Sequence, residues 1–199
     1  MTYKLNTKYF SHLFTEAQAY CLGYFYARAS GHLQLNIQDK ETLSIISSLL
    51  EYDGPIHSYG NITEINIKQK EFTTSLLSLG CTLNRKYMSS LPVLSTFLFP
   101  HFLRAIFENY GRMYLVKSKY LNVHINFNEQ FVSELRFFLK TELNIETKHY
   151  YRYSHTNTLQ MMITKRSDAI KFLNYIYSPS LYYLERKYQK YKEYGEKGV

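Results

Sequence analysis

The feature that most constrains this chain is a repeated order of element signals. A helix-forming stretch opens each half of the chain, over 15–28 and 101–110, about 80 residues apart. Strand, helix, paired-strand and helix signals follow each of them in the same succession. A chain of 199 residues organised in this way predicts a duplicated α+β protein with a sizeable core.

The first half opens with a helix over 15–28, capped by Thr15 and striped by Ala17, Tyr20, Cys21, Tyr24 and Phe25. Leu33, Leu35 and Ile37 then alternate with His32, Gln34, Asn36 and Gln38, the period-two pattern of a half-buried strand. Asp39 reads as the cap of a helix with Leu43, Ile46, Leu49 and Leu50 inward. Strands over 55–58 and 62–68, turned by Tyr59-Gly60-Asn61, lead to a helix over 70–79 closed by Gly80. The second half reads as a helix over 101–110 behind Pro100 and strands over 112–116 and 121–127. A helix over 129–139 capped by Asn128 follows, then strands over 148–153 and 158–164 and helices over 167–177 and 180–191. The expected boundaries are a first repeat at 10–83, a linker at 84–99, a second repeat at 100–191 and a frayed tail at 192–199.

Composition narrows the function classes. With 45% hydrophobic and 20% charged residues the chain is globular. No apolar run reaches the ~18 residues of a membrane span, and the first residues lack a secretory core. An intracellular protein is expected, in the cytoplasm or an organelle matrix, with no membrane partner. Cys21 and Cys81 lack CxxC spacing, so buried thiols are expected rather than a disulfide or zinc framework. His101, His124, His149 and His155 form no ligand spacing, no metal site is expected, and no P-loop, HExxH or GxSxG is present. A net charge of +8 without one long basic run favours a polyanionic partner.

Residues 19–30, AYCLGYFYARAS, resemble the first motif of the LAGLIDADG homing endonucleases, and residues 102–111, FLRAIFENYG, resemble the second. The segments 79–86 with Leu91-Pro92, and 167–177 with 184–187, are similar to the family's inter-repeat and closing segments, so the resemblance spans about residues 15–190. It implies a pseudo-twofold duplicated LAGLIDADG fold and a monomer with internal pseudo-symmetry. Two four-stranded antiparallel, saddle-shaped sheets would carry helices on the convex face. The motif helices would pack through Gly23, Ala27 and Ala105, and the concave face would lie along the major groove of double-stranded DNA.

Strand alternation then nominates DNA-facing side chains. These are His32, Gln34, Asn36 and Gln38, then Asn122, His124 and Asn126, with Asn66, Lys68, Lys148, Tyr150, Arg152, Gln160 and Thr164 as further candidates. A solvated sheet face accounts equally well for any one of them.

In the family an acid ending each motif binds a divalent metal beside the scissile phosphate. Aligned residue by residue, those positions hold Arg28 and Tyr110, and neither a guanidinium nor a neutral phenol ligates Mg²⁺. Arg28 is instead a candidate phosphate contact. Glu108 stands two residues upstream, ~200° away around the helix, where a cap or ion-pair role is expected. Lys68, Lys70, Lys165 and Arg166 fall near the family's hydrolysis-assisting lysine and read as phosphate contacts or surface charges. The resemblance thus implies a basic, intron-, phage- or mobile-element-encoded pseudo-enzyme that binds duplex DNA without cofactor or cleavage. The alternatives are a Mg²⁺-dependent endonuclease using displaced ligands such as Glu108, a maturase binding structured intron RNA, and a protein-binding regulator.

Overall fold

The structure, a computed structural model, describes residues 3–26, 32–36, 39–82, 90–117, 119–153, 158–178 and 180–196. Two compact units emerge, Met1–Tyr87 with Pro92–Asn109, and Met88–Leu91 with Tyr110–Val199.

In the first unit, α1 (Glu16–Tyr26) begins at a reciprocal capping box. Thr15 Oγ1 accepts from the Gln18 N–H at 3.2 Å, and Gln18 Oε1 accepts from the Thr15 N–H at 3.1 Å. Every residue from Ala19 to Tyr26 is buried, so α1 is a central helix with no solvated face over that stretch. Then come β1 (His32–Asn36), α2 (Lys40–Leu49), β2 (His57–Tyr59), β3 (Ile62–Asn66), α3 (Lys70–Ser78) and, later in the chain, α4 (Phe99–Tyr110). The strands form an antiparallel sheet of order β1-β3-β2. Phe10, Phe25 and Phe72 meet edge-on or tilted at 5.4 to 6.2 Å in its core. Gly60 (φ 55°) turns β2 into β3, a conformation that costs glycine nothing.

The second unit contains β4 (Gly111–Val116), β5 (Tyr120–Asn128), α5 (Glu129–Leu143), β6 (Lys148–Tyr153), β7 (Thr158–Ile163), α6 (Arg166–Tyr177) and α7 (Glu185–Glu196). Its antiparallel sheet runs β4-β5-β7-β6. Asn128 Oδ1 accepts from the Phe131 N–H at 2.9 Å, as expected of a cap. Val123, Ile125, Leu159, Met161 and Ile163 form the buried face, and Phe131, Leu135 and Leu139 of α5 and Phe172 and Ile176 of α6 are buried with them.

The first sheet has three strands among the described residues; residues 27–31 and 37–38, beside β1, lie outside them. β1 pairs with β3 as β5 pairs with β7, so β1 matches β5, and β4 lacks a described counterpart. Residues 111–128 hold a full hairpin, β4 and β5. The bounds of two helices need correction. Helix α4 starts at Phe99 rather than 101, since Pro100 in the first turn has no N–H to satisfy. Helix α7 starts at Glu185 and runs to Glu196, so 192–196 are helical rather than frayed; the Tyr177 and Tyr191 rings, stacked at 5.0 Å and 19°, tie it to α6. Asp39 occupies the N-cap of α2 without a capping side-chain bond. No described helix is long and apolar enough to cross a membrane.

Candidate nucleic-acid interface

The motif-like helices α1 and α4 touch where both carry small residues. A Cβ built on Gly23 would lie 2.5 Å from the Phe102 carbonyl oxygen and 2.7 Å from Ala105 Cβ. Only glycine fits that approach, so Gly23 and Ala105 occupy the packing role expected of them; Ala27 lies outside the described residues.

Beside this contact runs a buried polar ladder. Arg104, 1% exposed, donates to Glu16 Oε1 at 2.9 Å and lies 5.1 Å from the Tyr20 ring centroid. His101 Nδ1 is 3.2 Å from both terminal guanidinium nitrogens. Burial first, and the Arg104 charge second, hold the His101 pKa below its ordinary value, against the opposing pull of Glu16. Further along, Glu108 Oε2 accepts from the Tyr20 hydroxyl at 2.7 Å and the Tyr24 hydroxyl at 2.9 Å. Glu108 is therefore a buried acceptor for two phenols, a role the sequence did not suggest. Burial, reinforced by the Glu108 charge, pushes the Tyr20 phenol well up. Cys21 and Cys81 are buried free thiols, as expected.

The donors described at the motif ends do not fit a hard cation. Tyr110 offers a phenol whose ring packs edge-on against Phe127 at 5.1 Å, and the Glu108 carboxylate is engaged and 3% exposed. Among the described residues no group of three His, Cys, Asp or Glu could hold a metal ion. Arg28 lies outside those residues. Sequence reasoning passed over Lys187, a buried ammonium donating to the Gly111 carbonyl at 2.7 Å, just past the end of α4.

The four-stranded sheet turns one face away from its helices. Asn122, Asn126 and Gln160 are half-buried there, and Lys148 and Tyr150 are exposed. His124 is 8% exposed between Tyr114 and Gln160. Arg112 and Tyr114 of β4 share this face; they alternate with Met113 and Leu115, a signal the strand reading did not use. No Asp or Glu occurs in β4, β5, β6 or β7. The Arg152 side chain lies outside the described residues.

On the three-stranded sheet, His32, Gln34 and Asn36 are the Cα partners of Asn66, Glu64 and Ile62; their side chains, and Gln38 entirely, lie outside the described residues. Asn66 and Lys68 line an open hollow of about 550 Å³ with Tyr52, His57 and Glu64, so this face carries one carboxylate. Lys70 is exposed at the start of α3. Lys165 pairs with Asp168 at 3.4 Å, and Arg166 donates to the carbonyls of Lys119 and Tyr194. Thr164 is half-buried.

No protein-family model matches the sequence, and no curated protein matches it. Solved structures do. Full-length DUF199/WhiA from Thermatoga maritima superposes with a TM-score of 0.55 at 19% identity, covering 98% of this chain, which spans 66% of that one. The N-terminal LAGLIDADG domain of DUF199/WhiA gives 0.57 at 19% identity, covering 86% and 89% of the two chains. The LAGLIDADG meganuclease I-AabMI, bound to uncleaved DNA, gives 0.61 at 15% identity, covering 92% and 90%. With the packed motif helices and the two helix-backed antiparallel sheets, these superpositions identify the chain as a LAGLIDADG-fold protein.

Proposed function

We propose that this chain binds double-stranded DNA through the open faces of its sheets and does not cleave it. The observation that carries the reading is the face of the four-stranded sheet, which offers Arg112, Lys148, Asn122, Asn126 and Gln160 from strands without a single carboxylate. Cations there neutralise phosphates, while amide side chains match base-edge donors and acceptors. The +8 charge has the sign this requires. I-AabMI, of similar fold, was crystallised with DNA, which supports the same partner here. Cleavage is not proposed because a phenol at Tyr110 and a buried, doubly engaged Glu108 supply no hard-metal ligand.

Mobility shifts with a duplex pool in chelator test the binding. Arg112→Ala with Lys148→Ala is expected to weaken it about tenfold or more, whereas Lys140→Ala, on the helical side of the sheet, leaves it within about twofold. Equal loss from both would remove the sheet face from the account. Supercoiled plasmid is expected to stay un-nicked in Mg²⁺ or Mn²⁺; nicking that Glu108→Ala abolishes would restore the enzyme alternative.

A further inference from the structure

On the open face of the four-stranded sheet, His124 has both ring nitrogens engaged. Nε2 lies 2.7 Å from the Tyr114 hydroxyl on β4, and Nδ1 lies 3.0 Å from the Gln160 side-chain nitrogen on β7. The Tyr114 ring stands edge-on to the imidazole at 4.8 Å and 74°, which fixes the phenol in place. Tyr114 is 36% exposed and Gln160 half-buried, so each can still meet a ligand, whereas His124 at 8% cannot easily.

A neutral imidazole has one N–H and one lone pair, so its two neighbours cannot choose their roles independently. In one arrangement Nδ1 accepts from the Gln160 amide and Nε2–H donates to the phenol oxygen. The phenol proton is then free to donate outward, and the Gln160 carbonyl oxygen is the atom turned away from the ring. In the other arrangement the amide is turned over, Nδ1–H donates to its oxygen, and the phenol donates to Nε2. The phenol then offers only lone pairs outward, and Gln160 offers its NH₂.

We propose that Tyr114, His124 and Gln160 act as one coupled reader of two base-edge positions, accepting one hydrogen-bond donor together with one acceptor and rejecting pairs of like polarity. The inference rests on the DNA-binding reading above. Major-groove acceptors (guanine N7 and O6, adenine N7, thymine O4) and donors (adenine N6, cytosine N4) supply both polarities. Tyr114 and Gln160 are thereby specificity-determining residues, and His124 is a positioning residue that transmits the choice across the sheet.

The test is selection of a randomised duplex pool by the full chain at pH 8, where imidazole is ordinarily neutral, followed by sequencing. Two positions are expected to covary, with opposite-polarity pairs favoured about tenfold over like pairs. His124→Leu should abolish the covariation, leaving any preference at the two positions independent. Should His124→Leu fold poorly, Tyr114→Phe serves at the exposed position: it should relax base preference at the Gln160 position as well as its own. Covariation that survives His124→Leu, or a Tyr114→Phe effect confined to one position, would overturn the proposal. Duplex binding without any covarying pair would overturn it alone; no duplex binding at low salt would defeat the DNA reading and this inference together.

Discussion

Glu108 stabilises this chain chiefly through what its removal would leave behind. Its carboxylate holds two hydroxyls in the interior, and Glu108→Ala leaves them only their 3.2 Å contact with each other, at an expected cost of about 1–3 kcal/mol in urea unfolding. Glu108→Gln keeps an acceptor and should cost about half as much. An unchanged urea midpoint in Glu108→Ala would contradict this placement. The buried thiols give a pH signature. Burial raises the Cys21 pKa from its ordinary 9.0 to about 12, and raises Cys81 further. The unfolded thiols ionise from about pH 9 while the folded ones stay protonated. Stability is therefore complete below pH 9 and lost as pH rises toward 12, by about 1.4 kcal/mol per pH unit per thiol. Cys21→Ala with Cys81→Ala should flatten the fall between pH 9 and 10, above which the buried Tyr20 phenol adds its own loss. A double variant with the parent's slope would refute the assignment. The burial of the thiols was legible from their apolar sequence contexts. The role of Glu108 was not, because its partners Tyr20 and Tyr24 lie 88 and 84 residues away.

At the scale of elements, the closest approach is the crossing of α1 and α4 at Gly23. Alanine there gains up to about 1 kcal/mol of helix propensity, but its Cβ would strike backbone at 2.5 Å. Overpacking of about 1–3 kcal/mol should win, so Gly23→Ala is expected to lower the urea midpoint. Adding Ala105→Gly should restore only part of it, because the Phe102 carbonyl cannot move out of the way; full rescue would show that the side-chain clash alone matters. The resemblance of the two motifs implied this contact, and alternation marked β5, whose two faces differ sharply in polarity. Alternation of Leu33, Leu35 and Ile37 likewise marked β1, and the pairing of β1 with β3 shows that it corresponds to β5. By contrast, α7 is held by tyrosine stacking on Tyr177 rather than by an apolar stripe, so its extent was not written in hydrophobic periodicity.

Across the whole molecule, the sequence disclosed the fold through two weak motifs in order, each uninformative alone. It also disclosed the polar strand faces, though not the link from Tyr114 through His124 to Gln160, which joins strands 36 residues apart through side chains whose pairing depends on register. The charge of +8 and the acid-free strands of the second unit support the proposal that this fold engages the phosphates of duplex DNA and reads bases without a metal. Fluorescence anisotropy of a labelled duplex, titrated with the full chain in chelator between about 50 and 200 mM salt, tests that claim most directly. Contact with about six phosphates predicts measurable binding at the lowest salt and a loss of roughly a thousandfold across the range. No binding at about 50 mM, or an affinity indifferent to salt, would contradict it.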